Sequence, residues 1–379
     1  MSIHRFLGRP RGPLFRYRQV QVPISLRLTQ HVTKLTQVSL KYRYVQYIVA
    51  SWFGPTANEI CKNIDLTGKT CVITGGTTGI GKEVVKCLLG LNCNVVMACR
   101  NPYVAATDFK SVTNSEKLRI FEVNLCSLSS AKKFTEKMVE EGRNIDILLL
   151  NAGVFGLPWS LTADGLETIF QVNYLSQYYL LSNVEKVLSE NARVVFISAE
   201  SHRNVKLELD LSRPLYEETF SLPQHEYTSI KAYNLSKLCG IFAMHVYGYK
   251  WMGNSKSVFA AHPGSFVKTN LCRNWWLWET LYSFMVPFSK DLPRAAATPV
   301  YCCTSPELDG ISDVYVKDCH VAHESDLAKD LHLAFKVDSL TKAIINDRLE
   351  LMEEDKEVDY DKPLIVFEQK PAEENILIS

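Results

Sequence analysis

Tyr233 and Lys237 stand four residues apart in the amphipathic stretch Thr228–Tyr247. On a helix that spacing puts the phenol and the ammonium on one face. A free phenol titrates at about 10, too high to exchange protons usefully near neutrality. A neighbouring ammonium favours the phenolate and lowers that value. The pair therefore predicts a general acid/base at a substrate oxygen. The pattern is short and recurs by chance, so its weight depends on what accompanies it.

About 150 residues upstream, a run of apolar residues leads into Thr74-Gly75-Gly76-Thr77-Thr78-Gly79-Ile80-Gly81 and then into a helical segment. In this strand–loop–helix setting Gly75 permits a tight turn, Gly79 lets the backbone approach a pyrophosphate, and Gly81 lets the helix close on the strand. The amides from Thr77 through Ile80 then face the phosphates at a helix N-terminus. The second apolar run ends at Ala98-Cys99-Arg100-Asn101. A site for NAD would place a carboxylate about there for the ribose 2′-hydroxyl. Arg100 instead suits a 2′-phosphate, which predicts NADP rather than NAD. Such a cofactor carries the hydride, and Tyr233 serves the proton.

The elements that position these groups follow from hydrophobic periodicity. Short apolar runs at Thr70–Thr74, Asn94–Cys99, Leu118–Val123, Asp146–Leu150, Arg193–Ser198, Ser257–His262 and Ser312–Val316 alternate with helical segments. Those segments are Ile80–Leu91, Ser129–Glu141, Asp164–Leu188 and Thr228–Tyr247. Nearly continuous Val, Ile and Leu runs fit strands covered on both faces. The prediction is an α/β fold, a Rossmann-type doubly wound parallel sheet with helices on both faces, in one domain. Residues 1–55 read as a basic arm or targeting segment, 56–350 as the nucleotide-binding domain and 351–379 as an acidic tail.

Taken together, the glycine loop and the Tyr233–Lys237 pair resemble the short-chain dehydrogenase/reductase family. Asn151-Ala152-Gly153, Asn173 and Pro263-Gly264 follow in the family's order. The resemblance covers about residues 56–350 and is nearest to a branch that carries WW modules. Leu157–Thr162, Asp164–Thr168, Phe170–Asn173, Glu200–His202 and His262–Gly264 carry that likeness. Residues 1–55 hold one tryptophan, Trp52, short of the spaced pair a WW module needs, so binding of proline-rich partners is not expected. The resemblance implies that Asn151, Ala152, Gly153, Pro263 and Gly264 line the cofactor and that Lys237 also binds its ribose. It implies that Asn173 anchors a water in a proton relay. Asn101 joins Arg100 at the adenosine end. Asn124 stands where the family commonly has an aspartate for the adenine, and Leu150 where it often has asparagine. Ala199 falls where a serine usually holds the substrate carbonyl. Ser198 points to the other face of the strand, and Ser201 shares the parity of Ala199 and serves in its place if the backbone bends.

Bulk composition narrows the rest. The 379 residues carry a formal net charge of +1, which gives no reason to expect a nucleic-acid partner. The first 58 residues hold nine Lys or Arg and no Asp or Glu, as a mitochondrial transit segment or a loosely attached arm would. The eleven scattered cysteines include no CxxC pair, which predicts free thiols in a reducing compartment, no metal and no secretion. Cytoplasm and mitochondrion both fit. His202, His225 and His262 are read as structural side chains. Trp275–Phe288 is strongly aromatic and follows the sixth strand. It predicts a lipophilic alcohol or carbonyl substrate of steroid, retinoid or lipid-aldehyde class, with peripheral membrane contact as a second use. A homo-oligomer is compatible with the sequence. The alternative to an enzyme is a nucleotide-binding regulatory protein of weak or no dehydrogenase activity, which Ala199 favours.

Overall fold

The computed structural model describes residues 54–109, 116–207, 210–264 and 290–357, with side chains through residue 351. The basic arm, Trp275–Phe288 and most of the acidic tail lie outside the described residues.

Eight strands form one sheet in the order β3-β2-β1-β4-β5-β6-β7-β8. They are β1 Thr70–Thr74, β2 Asn94–Cys99, β3 Leu118–Glu122, β4 Ile145–Leu150, β5 Leu188–Ile197, β6 Ser257–His262, β7 Val314–Lys317 and β8 His320–Ala322. Neighbours from β3 to β7 pair in parallel, as the apolar runs predict. The edge strand β8 pairs antiparallel with β7, which the sequence reading lacked. Its three residues follow a turn in which Asp318 and Cys319 adopt φ of 50° and 59°. So short a strand leaves no periodicity to read. β5 also begins five residues before the expected Arg193, with a register shift against β4 between Ile145 and Ile147.

The helices are α1 Ala57–Ile60, α2 Gly79–Gly90, α3 Pro102–Asp108, α4 Leu128–Glu140, α5, α6 Ser229–Lys250, α7 Leu292–Ala295, α8 Ala297–Thr304 and α9 Leu331–Glu357. Helix α5 has α-helical parts Thr168–Phe170 and Ser176–Val184, separated by the π-helical turn Gln171–Leu175. One apolar layer joins α1, α2 and α8 to the sheet through Cys71, Val84, Leu88, Met97 and Val300. The other joins α4, α5, α6 and α9 through Val72, Phe134, Tyr178, Leu238, Phe242 and Val337. Strand order reverses between β1 and β4, where crevices open in such sheets.

The expected helix from Asp164 starts later, at Thr168. The Asp164 carboxylate is buried and accepts the Leu128 amide at 2.7 Å, and Gly165 has a φ of 73°. Glu167 then caps the helix by accepting the Ile169 and Phe170 amides at 2.7 and 2.8 Å. Glutamate is an uncommon cap, so the sequence carries no start signal at that position.

Candidate active site

The glycine loop leaves β1 at the point where the sheet reverses. Gly75 has a φ of 67°, and a Cβ on it would lie 2.8 Å from the Ala152 Cα. A Cβ on Gly81 would collide with the Gly75 carbonyl and come within 2.6 Å of Asn151 Nδ2. Only glycine meets both demands. Thr78 precedes α2 in an extended conformation and makes no side-chain cap. The free amides of α2 therefore face the crevice beside half-buried Thr77 and exposed Thr78. This cradle fits a dinucleotide pyrophosphate.

A polar knot ties the loop to the end of β4. Thr74 Oγ1 accepts the Asn151 and Ala152 amides, each at 3.0 Å, and donates to Gln177 Oε1 at 3.0 Å. Asn151 Nδ2 donates to the Thr74 and Gly75 carbonyls at 3.0 and 2.9 Å. Gln177 Nε2 returns to the Ala152 carbonyl at 2.7 Å. Asn151 thus acts as a brace for the glycine loop, and Thr74 and Gln177 are members that the sequence reading did not single out. Their signal is weak, since a buried Thr and Gln look like ordinary strand and helix residues.

Arg100 follows β2 directly and is exposed. Among the described residues it meets no carboxylate. Asn101 Oδ1 accepts the Val104 amide at 3.1 Å as the cap of α3. Asn124 Oδ1 accepts the Cys126 amide at 3.1 Å in a turn after β3. The side chains of Asn101 and Asn124 therefore already have local work in the turns after β2 and β3.

Helix α6 carries Tyr233 and Lys237 on one face, as the spacing predicts. Lys237 is 4% exposed, and its Nζ donates to the Ile197 carbonyl at 2.9 Å. The same Nζ lies 5.5 Å from the centre of the Tyr233 ring. Burial lowers its pKa to about 8. Phe155 packs edge-on to Tyr233 with ring centres 5.0 Å apart. A Cβ on Gly153 would lie 3.4 Å from both Lys237 Nζ and Asn173 Oδ1, so the Asn151–Gly153 turn presses against both.

Asn173 sits in the π-helical turn of α5, a feature that often marks functional positions. Its Oδ1 accepts the Val154 amide at 2.7 Å, and its Nδ2 donates to the Val154 carbonyl at 3.0 Å and to Ser236 Oγ at 3.0 Å. Ser236 Oγ donates in turn to the Tyr233 carbonyl at 2.7 Å. Asn173 is thereby joined to the Tyr233 turn of α6 through Ser236, a link the sequence reading missed although Ser236 lies three residues from Tyr233. Gln177 Nε2 reaches the Asn173 carbonyl at 3.0 Å.

After β5 the backbone bends. Ala199 is extended, with φ −146° and ψ 150°, and the 3₁₀ turn Glu200–Asn204 follows. The bend on which Ser201 depended is therefore present. Ser198 Oγ donates to the Lys237 carbonyl at 3.1 Å, so its hydroxyl is spent on α6. His202 Nδ1 lies 2.7 Å from the Ala199 carbonyl, and its Nε2 accepts the Ser325 amide at 3.0 Å. Those two partners fix the neutral Nδ1–H tautomer and a structural role. His225 is exposed, 3.9 Å from Glu226. Pro263 and Gly264 close β6, and Gly264, with a φ of 115°, abuts Lys290. The ten cysteines among the described residues are unbridged, and no cluster there could hold a metal. No described helix is long and apolar enough to cross a membrane.

Comparison with known proteins agrees with this geometry. Residues 69–206 match the family model described as short chain dehydrogenase. The chain is 36% identical over 300 residues to the WW domain-containing oxidoreductase of Drosophila melanogaster, covering 78% of this chain and 73% of that protein. It is 31% identical over 301 residues to human retinol dehydrogenase 12, covering 78% and 92%. Among solved structures, an uncharacterised protein from Mycobacterium paratuberculosis superposes with a TM-score of 0.62 at 23% identity, over 77% of this chain and 98% of that one. A 3-ketoacyl-(acyl-carrier-protein) reductase from Brucella melitensis, solved with NADH, gives 0.51 at 17% identity over 67% and 97%. With the glycine cradle, the braced β4 turn and the Tyr233–Lys237 pair in place, the chain belongs to the short-chain dehydrogenase/reductase family.

Proposed function

We propose that this oxidoreductase is NADP-dependent and interconverts a lipophilic alcohol and its carbonyl, with Tyr233 as the acid/base. The observation that carries the reading is the buried Lys237 ammonium, 5.5 Å from the Tyr233 ring centre. Burying a cation without a carboxylate partner is costly and is rarely kept for stability alone.

The amides from Thr77 to Ile80 and the α2 N-terminus hold the pyrophosphate, and Gly75, Gly79 and Gly81 let the backbone close on it. Asn151, Ala152 and Gly153 flank the nicotinamide half, with Pro263 and Gly264 beyond. Arg100 pairs with the 2′-phosphate, while Asn101 and Asn124 border the adenine. When bound, the dinucleotide supplies or takes the hydride at the substrate carbon. Tyr233 donates its phenolic proton to the substrate oxygen in reduction and takes one back in oxidation. Lys237 stabilises the phenolate left behind. Asn173, held by Val154 and Ser236, offers its main-chain carbonyl to a relay water that reloads the phenol. Ser201 supplies a hydroxyl to the substrate oxygen where Ala199 has only a methyl.

The lipophilic substrate class is supported by the retinol dehydrogenase 12 relatives and by the aromatic Trp275–Phe288 segment. That segment also has the character to touch a membrane surface. Residues 56–350 are read as the catalytic domain, with the arm and the tail as appendages. A second reading, a nucleotide-binding regulatory protein, is favoured by Ala199. Calorimetric titration with NADPH and NADH, followed by turnover on all-trans-retinal, a keto-steroid and a long-chain aldehyde, tests the choice. Tighter binding of NADPH with turnover on one of these supports the enzyme reading. NADPH binding without turnover on any of them supports the regulatory one.

A further inference from the structure

Cys61 Sγ and Cys87 Sγ lie 3.0 Å apart. Cys61 is the C-cap of α1, and Cys87 stands in the last turn of α2. Eight of the ten described cysteines belong to the apolar layer of α1, α2 and α8, where a thiol packs as a small hydrophobe. Their sulfurs turn to other groups where they find a partner. Cys93 Sγ meets the Lys69 and Asn94 carbonyls at 3.5 Å, and Cys319 Sγ meets Thr298 Oγ1 at 3.8 Å. The sulfur–sulfur contact is what sets Cys61 and Cys87 apart from ordinary packing thiols.

The contact is held from both sides. Helix α1 has only four residues, but Thr56 and Glu59 cap it reciprocally. Thr56 donates its amide and its hydroxyl to Glu59 Oε2 at 2.7 and 2.9 Å, and the Glu59 amide donates to Thr56 Oγ1 at 3.3 Å. Just before the helix, the Gly54 carbonyl accepts Arg294 Nε at 3.1 Å. Ala57 is buried in the layer that also holds Leu88 and Val300. Cys87 is fixed by its place in α2. About 1 Å of further approach would bring the two sulfurs to bonding distance.

The hydrogen bonds also distinguish the two thiols. Cys61 donates to the Asn58 carbonyl at 3.7 Å, and Cys87 donates to Cys61. The bond from Cys87 lowers the Cys61 pKa. The same bond, with burial, raises that of Cys87. Cys61 is therefore the thiol that ionises more readily, and the thiolate is the form that reacts. Cys61 and Cys87 are 4% and 6% exposed, whereas Cys71, Cys93 and Cys302 are wholly enclosed.

We propose that Cys61 and Cys87 form a peroxide-oxidisable dithiol whose disulfide staples α1 to the nucleotide-binding helix α2. The Cys61 thiolate attacks one oxygen of hydrogen peroxide and breaks the O–O bond, leaving a sulfenic acid and, after protonation, water. Cys87 sulfur then attacks Cys61 sulfur and displaces the hydroxyl, which leaves as water with the Cys87 proton. Two thiols are oxidised to one disulfide, and one peroxide is reduced to two waters. The bond closes the chain from residue 61 to residue 87, a loop that contains β1 and the glycine turn. Closing such a loop restricts the unfolded chain and stabilises the fold. Cys87 lies eight residues, about 12 Å, along α2 from Gly79, so the staple leaves the phosphate end of the helix in place. The proposal does not depend on which dinucleotide or substrate the protein takes.

The test treats the reduced, folded full chain with hydrogen peroxide, blocks the remaining thiols and maps the peptides by mass spectrometry without reduction. The expected product is a Cys61 peptide joined to a Cys87 peptide within one chain, reversed by dithiothreitol. Its melting temperature should exceed that of the reduced protein by about 5 °C or more. Cys61→Ser and Cys87→Ser should each abolish both changes. In Cys87→Ser, dimedone should tag Cys61, because the sulfenic acid has lost its partner. Both cysteines recovered as free thiols after oxidation would overturn the proposal, as would a link from either to another cysteine. A cross-linked protein that melts no higher than the reduced one would overturn the staple, since the bond would then have been made at the expense of the native packing.

Discussion

Lys237 Nζ stands 5.5 Å from the centre of the Tyr233 ring, held there by the Ile197 carbonyl at 2.9 Å. The distance is short enough for the charge to act on the phenol in a medium that water does not screen. Burial lowers the Lys237 pKa to about 8, so the ammonium is present below that pH and lost above it. Turnover should therefore fall as pH rises through about 8, as the phenolate loses its support. In Lys237→Met the loss should be on the order of 100- to 10,000-fold at neutral pH, and the decline at pH 8 should vanish. A pH–rate profile of both proteins checks this.

Arg100 reaches solvent at the end of β2 without a carboxylate partner among the described residues. A hydrogen-bonded pair with a phosphate is worth about 1.5–3 kcal/mol, or roughly 10- to 150-fold in affinity. Arg100→Asp should weaken NADPH by about that factor and improve NADH, which offers a 2′-hydroxyl instead. Titration with both dinucleotides reads the change, and equal effects on the two would remove Arg100 from the site.

Ala199 is extended and half-buried, so a serine fits there without backbone strain. Ala199→Ser should add a donor at the substrate oxygen and raise kcat by about tenfold or more if Ser201 fills the role only in part. Ser201→Ala should lower it, and the double variant should recover. Steady-state kinetics on one substrate decides the matter.

His245 is tied to Asp313 at 2.6 Å and lies 3.6 Å from Glu324, joining α6 to the ends of β7 and β8. Burial opposes its charge, but the two carboxylates outweigh burial and raise its pKa to about 9. A folded pKa above the unfolded value of about 6.5 means stability that is whole below pH 6.5 and lost as pH rises through about 9. The contribution is on the order of 3 kcal/mol. Thermal melts from pH 6 to 10 should show a wild-type decline that is blunted in His245→Gln.

The parallel strands were legible because several are short, nearly continuous apolar runs set between helical segments, and the Tyr233–Lys237 face because helical spacing is rigid. The glycine loop was legible for a similar reason, since at Gly75 and Gly81 the backbone leaves no room for a side chain. The start of α5 was not, because Glu167 caps it from a position that sequence rules give to smaller side chains. The π-helical turn around Asn173 was also hidden, since the residues of Gln171–Leu175 would suit an ordinary helix. Thr74, Gln177 and Ser236 act through partners remote in sequence, 103 residues apart for Thr74 and Gln177, and local pattern cannot show that. The unpartnered ring nitrogens of His262 were hidden as well. A strand-end histidine looks the same whether or not its ring finds a partner.

The measurement that bears most directly on the proposed chemistry is single-turnover reduction of all-trans-retinal by NADPH in wild type and Tyr233→Phe, with cofactor affinity measured alongside. The phenyl ring keeps the contact with Phe155 and removes only the hydroxyl. The account predicts unchanged NADPH affinity and a loss of at least about 1,000-fold in the hydride step. Equal rates in the two proteins would contradict Tyr233 as the acid/base and, with it, the mechanism built on the Tyr233–Lys237 pair.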